Sequence, residues 1–230
     1  MPFLYISLIL FIIWCLFLVF SKETRKEQLV VSIFGFILAP GMILLAVGND
    51  FRKTFQLESG TIGIEDLLFA FSVAGIAAVI YQVAFGRHVH KIPKKRWRLH
   101  PNPMHWLANL IAILGLWALI SLSLLLLFGI NSVYALIVAG LMIGIYMIAD
   151  RHDLLMNAIF SGLFMGVLIF FLEYLFFARI FPGASAEFWH WESLSGIHTG
   201  SIPLEELLWA LTVGFTLGPL YEYVRQWRLK

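Results

Sequence analysis

The sequence predicts an all-α polytopic membrane bundle of seven transmembrane helices, built as a parallel 3+1+3 repeat with the N-terminus outside and the C-terminus cytoplasmic. Three observations carry this prediction. The first is composition. Of the 230 residues, 60% are hydrophobic and 13% charged, and the mean hydropathy is +0.87, whereas soluble domains run to about 45–50% apolar and about 25% charged. The second is the placement of Lys and Arg between the apolar runs. The third is a ten-residue stretch that recurs at one fixed offset, which bears on architecture before anything else does.

Seven apolar runs of about 20 residues are long enough to cross a hydrocarbon core of about 30 Å. They lie near 3–20, 29–48, 64–86, 105–128, 130–149, 154–177 and 204–223. The first has no basic segment ahead of it and no small-residue cleavage site, so it reads as a retained span rather than a signal peptide. Pro40-Gly41 in the second predicts a kink or break, which membrane helices tolerate where neighbours re-satisfy the backbone. Only Gly129, Ile130 and Asn131 separate the fourth from the fifth, so a tight hairpin falls there.

Charge then orients the runs. Lys22, Arg25 and Lys26 follow the first span; Arg87, Lys91, Lys94, Lys95, Arg96 and Arg98 follow the third. Arg151 follows the fifth, and Arg225, Arg228 and Lys230 end the chain. The opposite loops hold only Arg52, Lys53 and Arg179. The rich side is cytoplasmic by the positive-inside rule. Residues 1–86 and 129–230 are then two three-helix units in the same orientation. Residues 87–128, a basic loop and a linker helix, connect them, an arrangement known for parallel repeats.

The repeat itself is Gly60-Thr61-Ile62-Gly63-Ile64-Glu65-Asp66-Leu67-Leu68-Phe69 against Gly200-Ser201-Ile202-Pro203-Leu204-Glu205-Glu206-Leu207-Leu208-Trp209. Without gaps, 60–82 and 200–222 agree at Gly60, Ile62, Glu65, Leu67, Leu68, Ala70, Val73 and Tyr81. A weaker echo sets Arg25…Ile33-Phe34 against Arg151…Ile159-Phe160. Both acidic pairs therefore open a helix at the outer face, where an ionisable group is costly in lipid and marks a functional-site hypothesis. Capping and complementing the helix dipole is the plainer role for such acids. The duplication, with Pro203 in the first turn, favours chemistry.

Neighbours on a helix point about 100° apart. One acid of each pair can thus face the interior, and two facing helices can bring carboxylates together. Like charges in low dielectric leave a proton available for donation, while a helix N-terminus favours the anion. Phe69, Phe71 and Trp209 lie just inside, and aromatic faces stabilise a developing carbocation. Glu173 lies at similar depth to Glu205 and is either a third member of the cluster or an interface charge. Glu222 is about 25 Å along the helix from Glu205 and belongs to the other face.

Other chemistry finds little support. The single Cys15 allows no intramolecular disulfide. A net charge of +2 does not suggest nucleic acid, and no glycine-rich phosphate loop occurs. His88, His90, His100 and His105 have no carboxylate or cysteine beside them, so no metal site is read. The basic loop around them suits anionic lipid headgroups. Asp150-Arg151-His152-Asp153 reads as a charge-paired, capped turn. Tyr81 and Tyr221 read as interface belt residues.

These residues resemble the cofactor-independent, integral-membrane lycopene (carotenoid) cyclases of the fused heterodimeric type. Their hallmark is a Pro-x-Glu-Glu/Asp motif opening an apolar, aromatic helix, and Pro203-Leu204-Glu205-Glu206-Leu207-Leu208-Trp209 is similar to it. The approach through Trp189-His190-Trp191…Gly196-Ile197 resembles the family's Trp-rich loop. The first copy departs, with Gly63 in the proline's place. The resemblance implies acid-initiated, non-redox ring closure of a polyene end group within the cell membrane, with no cofactor. Glu205 or Glu206 would be the acid and Glu65 or Asp66 its partner or base. Trp209, Phe69 and Glu173 would line the substrate. The expected partners are a hydrophobic polyene or isoprenoid, membrane lipid, and a second copy or other carotenoid-pathway enzymes. Two alternatives stand beside this reading: a small-solute carrier of the 3+1+3 type, and a non-catalytic isoprenoid-binding protein of the same fold. The carrier lacks its expected first-helix prolines in 3–20 and 130–149. A retinal protein is disfavoured because 204–223 holds no lysine.

Overall fold

The structure is a computed structural model that describes residues 2–46, 50–53, 62–86, 89–91 and 105–229. Gly60, Thr61, His88, His100 and most of the basic loop lie outside the described residues. Among the described residues, six helices are long and apolar enough to cross a membrane, and the chain is a membrane protein built as a helical bundle. They are α1 (Pro2–Phe20), α2 (Arg25–Ala46), α3 (Ile64–Phe85), α4 (His105–Phe128), α5 (Ser132–Asp150) and α6 (Leu155–Glu173), the last extended by a π-helical turn, Tyr174–Ile180.

Local chemistry sets these limits. Pro2 occupies the first turn of α1, where its missing N–H costs nothing. Gly86 closes α3 in the left-handed conformation (φ 59°), and Asn131 caps α5 by accepting from the Val133 N–H at 3.0 Å. Pro40 lies inside α2 without ending it, so the expected break is absent. The break falls instead in the seventh run. Gly218-Pro219 divides it into α8 (Leu204–Leu217) and α9 (Leu220–Arg225), because proline cannot supply the next helical donor. Asn157 Nδ2 donates to the Gly218 carbonyl at 3.1 Å.

Between α6 and α8 the chain forms a short helix α7 (Ala184–Phe188) and a two-residue hairpin of β2 (His198–Thr199) with β3 (Ile202–Pro203). At the other end, β1 (Val89–Lys91) pairs antiparallel with β4 (Trp227–Leu229), tying the basic loop to the C-terminal segment.

Helix α3 is central: every residue from Ser72 to Gln82 is buried. It packs on α1, α2, α6 and α8, while α8 packs on α5 and α6, and α4 on α5 and α9. Small residues allow the close approaches. A Cβ on Gly214 would collide with the Ser161 carbonyl, so α8 meets α6 almost backbone to backbone. Buried polar side chains tie helices together: Trp14 Nε1 donates to Ser32 Oγ at 2.8 Å, and Thr216 Oγ1 to the Gly140 carbonyl at 2.9 Å. Ile12, Ile37, Leu119, Leu126, Tyr146 and Val167 face outward, the apolar surface that lipid would contact.

Helices α2 and α4 do not close on each other. Between them, with α3, α5 and α8 behind, lies a cavity of about 330 Å³. Its walls are Val31, Phe34 and Leu38 from α2, Leu114, Trp117 and Ser121 from α4, and Val73, Val213 and Leu217 from the helices behind. One end of it reaches Arg52 and Asp66.

Candidate functional site

The site is built at the end of the bundle where α3 and α8 begin. Residues 50–53, between α2 and α3, are pinned there from both sides. Asp50 accepts from the Ser132 N–H at 2.8 Å and from its hydroxyl, and the Asp50 carbonyl accepts from Asn131 Nδ2 at 3.3 Å. The Phe51 carbonyl accepts from the His190 N–H at 3.0 Å, and the Lys53 N–H donates to the Phe188 carbonyl at 2.8 Å. Arg52 is thereby turned inward.

Its guanidinium is buried among rings: Phe3, Phe51, Phe69, Phe188 and Trp209, with centroids 5.1–5.8 Å from Cζ. Nη2 donates to Glu206 Oε1 and lies 3.9 Å from Glu173 Oε1. Burial works against the charge of Arg52, but the carboxylates of Glu206 and Glu173 outweigh it and hold its pKa above the ordinary arginine value. Sequence reasoning counted Arg52 only as an external charge and did not place it in the site. Its signal was faint: a cation directly following Phe51, ahead of the first acidic pair.

The acids divide around this cation. Glu206, fully buried, also accepts from Trp189 Nε1 at 3.3 Å. Glu173 is fully buried, and among the described residues neither of its oxygens has a hydrogen-bond partner. Glu205 turns to the α5 side, where the Tyr134 hydroxyl and the Ser195 N–H (2.7 Å) donate to its Oε1. Tyr134, Trp189 and Ser195 were not singled out from the sequence; only the fold brings them to these acids.

The first acidic pair sits differently. Asp66 is half-buried, lines the cavity, and accepts from the Gly63 N–H at 3.0 Å. Among the described residues it is the one carboxylate on the cavity wall. Glu65 folds back over Gly63, since a Cβ there would meet its carboxyl group. Phe69 and Trp209 stack across the two helices with centroids 5.9 Å apart, and both line the cavity. The two stretches are thus brought together through Phe69, Trp209 and the charge of Arg52, while Glu65 and Glu205 point away from the common space.

Chemically, the arrangement offers a water-poor apolar chamber with one carboxyl group, one ion-paired guanidinium and two aromatic faces at its end. No group of three or more His, Cys, Asp or Glu arranged for a metal occurs among the described residues.

No curated protein and no solved structure matches the chain. Residues 131–224 match the family model described as lycopene cyclase, from the cap of α5 through most of α9. The match covers less than half of the chain, and over that span the chain is similar to the lycopene cyclase family. Glu173, Glu205, Glu206 and Trp209 lie inside the matched span, and Arg52, Glu65, Asp66 and Phe69 lie before it.

Proposed function

We propose, from the lycopene cyclase match over residues 131–224, that this chain is a cell-membrane carotenoid cyclase of the intramolecular lyase class. In this reading it closes a ring on one end group of an acyclic polyene, without redox change and without a cofactor. The observation that carries the reading is the cavity between α2 and α4. It is apolar along its length and ends at Asp66, Arg52, Phe69 and Trp209.

An alkene is a weak base, so the reaction needs a carboxylic acid held against it in a site that excludes water. Asp66 takes this role because it is the carboxyl group on the cavity wall. Its proton adds to one carbon of the terminal double bond and leaves a cation on the other. The π pair of a neighbouring double bond then forms the ring C–C bond and moves the cation into the ring. Loss of a proton from the adjoining carbon to a carboxylate restores a double bond and the acid. Atoms and electrons balance, since one proton enters and one leaves.

The cation needs a negative or aromatic surround throughout. Phe69 and Trp209 supply ring faces, and Arg52 is matched by Glu206 and Glu173, so its own charge does not oppose the reacting one. Glu206 and Glu173 act in this reading as the counter-ions that fix Arg52. Glu205 fixes the approach loop through Ser195.

The test is expression in a lycopene-accumulating bacterium with chromatography of the extracted pigment. Cyclic end groups are expected from the intact chain and not from Asp66→Asn. Unchanged lycopene, with the protein detected in the membrane fraction, would overturn the reading.

A further inference from the structure

The cavity is not closed on every side, and the place where it opens decides what can reach Asp66. On α2 it runs from Val31 to Ile43, about 18 Å of helix at roughly 1.5 Å per residue. Its foot, at the end away from Asp66, is sealed: Val31, Leu110, Leu114 and Leu217 are exposed to only 2%, 0%, 7% and 8%. Its other end lies under residues 50–53, which are pinned from both sides. Between the two ends the wall opens sideways. Leu38 and Met42 on α2, and Ala118 and Leu122 on α4, are half-buried, and Gly41 is exposed. A Cβ added to Gly41 would meet nothing within 4 Å. The opening is thus a lengthwise slot in the flank of the bundle, between two helices whose outer faces lipid would contact.

The slot favours an apolar chain. The polar side chains at its mid-length turn into the protein: Trp117 Nε1 donates to the Leu136 carbonyl at 3.1 Å, and Ser121 Oγ to the Trp117 carbonyl at 2.9 Å. A polar headgroup drawn into the slot would lose water and gain no donor from either of them, which is costly. A hydrocarbon chain gives up nothing by the same move. Helix α2 packs chiefly on α3, and α4 on α5 and α9, so the slot can widen without breaking either packing.

We propose that the slot is a lateral port. An isoprenoid chain dissolved in the bilayer enters between α2 and α4, brings one end group to Asp66, and keeps its far part in lipid. The identity of the chain rests on the cyclase reading, whereas the port rests on the slot. A chain enclosed completely would have to fit within about 18 Å, well short of the roughly 30 Å of a hydrocarbon core. A longer chain lies along the slot and leaves it sideways, because the foot is sealed. The product departs by the same route, and the cluster around Arg52 stays shut throughout.

The experiment counts bound pigment, which does not require turnover. Full-length Asp66→Asn is expressed in a lycopene-accumulating bacterium and purified in detergent, and the co-eluting lycopene is measured by absorbance. About one lycopene per chain is expected. Adding Ala118→Trp or Leu38→Trp, which narrow the slot from either helix, should lower it about tenfold or more. Leu119→Trp, on the outward face of α4, should leave it unchanged. If one slot variant fails to fold, the other repeats the test from the opposite helix. Undiminished pigment in a folded slot variant, or co-purified phospholipid without pigment, overturns the port. Wild-type yields of cyclic product from Ala118→Trp alone would also overturn it and leave the cyclase reading standing. Pigment bound through the slot by a chain that never cyclises it would keep the port and remove the cyclase reading.

Discussion

The two acidic pairs open helices α3 and α8 with nearly the same ten residues, yet their second acids meet different partners. Asp66 is held by the Gly63 N–H and faces the cavity, whereas Glu206 is held by Arg52 and Trp189. The cause is the residue three positions earlier. Gly63 has a backbone N–H and can close a capping box on the acid at the third helical position. Pro203 has none, so Glu206 has no local donor at that position and reaches Arg52 instead. The position at which the first stretch departs from the cyclase motif is thus the one that keeps its acid at the chamber wall. In the proposed reading, two similar stretches divide into a reacting group and a charge-holding group through one backbone hydrogen.

The sharpest way to break this comparison is to remove each second acid in turn. Asp66→Asn is expected to lower cyclisation by about 10²–10⁴-fold, the usual size of a general-acid contribution. It should leave thermal stability close to wild type, because an amide oxygen still accepts from the Gly63 N–H. Glu206→Gln should instead show first as instability, with activity following the folded fraction. Pigment yield normalised to membrane-inserted protein separates the two. If Glu206→Gln abolished turnover in a stable protein while Asp66→Asn did not, the roles would be reversed.

Next in size is Arg52. Removing the cation leaves Glu206 and Glu173 buried together without a counter-charge, and breaking a buried pair from one side costs about 3–5 kcal/mol. Arg52→Gln should therefore unfold at markedly lower temperature in a thermal-shift assay. Arg52→Gln combined with Glu206→Gln should recover part of the loss, since the two sites share one interaction. Equal loss in single and double variants would mean that the aromatic cage, not the ion pair, gives Arg52 its weight.

Sequence and fold part company at this residue for a physical reason. The spans were legible because hydropathy is local: each long helix coincides with an apolar run, and Gly218-Pro219 marks in plain residues where the seventh run divides. The acids were legible because a charge at a helix mouth in lipid is conspicuous. Arg52 was not, because its meaning depends on Glu206, 154 positions away, and on five rings drawn from several parts of the chain. Tyr134 was hidden in the same way. A polar side chain inside an apolar helix has no local period to betray its partner.

Smaller effects sharpen the outer members of each pair. Glu205→Gln keeps an oxygen for Tyr134 and Ser195 but loses its charge. A hydrogen bond to a charged group is worth about 1.5–3 kcal/mol and a neutral one about 0.5–1.5, so a destabilisation near 1 kcal/mol is expected. Turnover per folded molecule should stay within about threefold, below the range of a general-acid loss. Glu65→Gln should change neither quantity measurably, since Glu65 packs over Gly63 and does not line the cavity. A loss of turnover in Glu65→Gln would move the acid of the first pair outward by one residue.

The finest test exchanges the backbone hydrogen itself. Gly63→Pro removes the N–H that holds Asp66, and Gly63 already has φ of −83° and ψ of 157°, close to what proline accepts. Strain at the ring is therefore small, and Glu65, whose flexible carboxyl group lies over the site of the new Cβ, can rotate aside. Loss of one hydrogen bond predicts about 0.5–1.5 kcal/mol of destabilisation. Freed of Gly63, Asp66 can swing toward Arg52, as Glu206 does beside Pro203, and turnover should fall even though the chain now carries the motif in both copies. Gly63→Ala separates the two causes, because it adds the Cβ but keeps the N–H. It should retain near-normal turnover. If Gly63→Pro were instead more active than wild type, the N–H of Gly63 would be restraining the acid rather than presenting it.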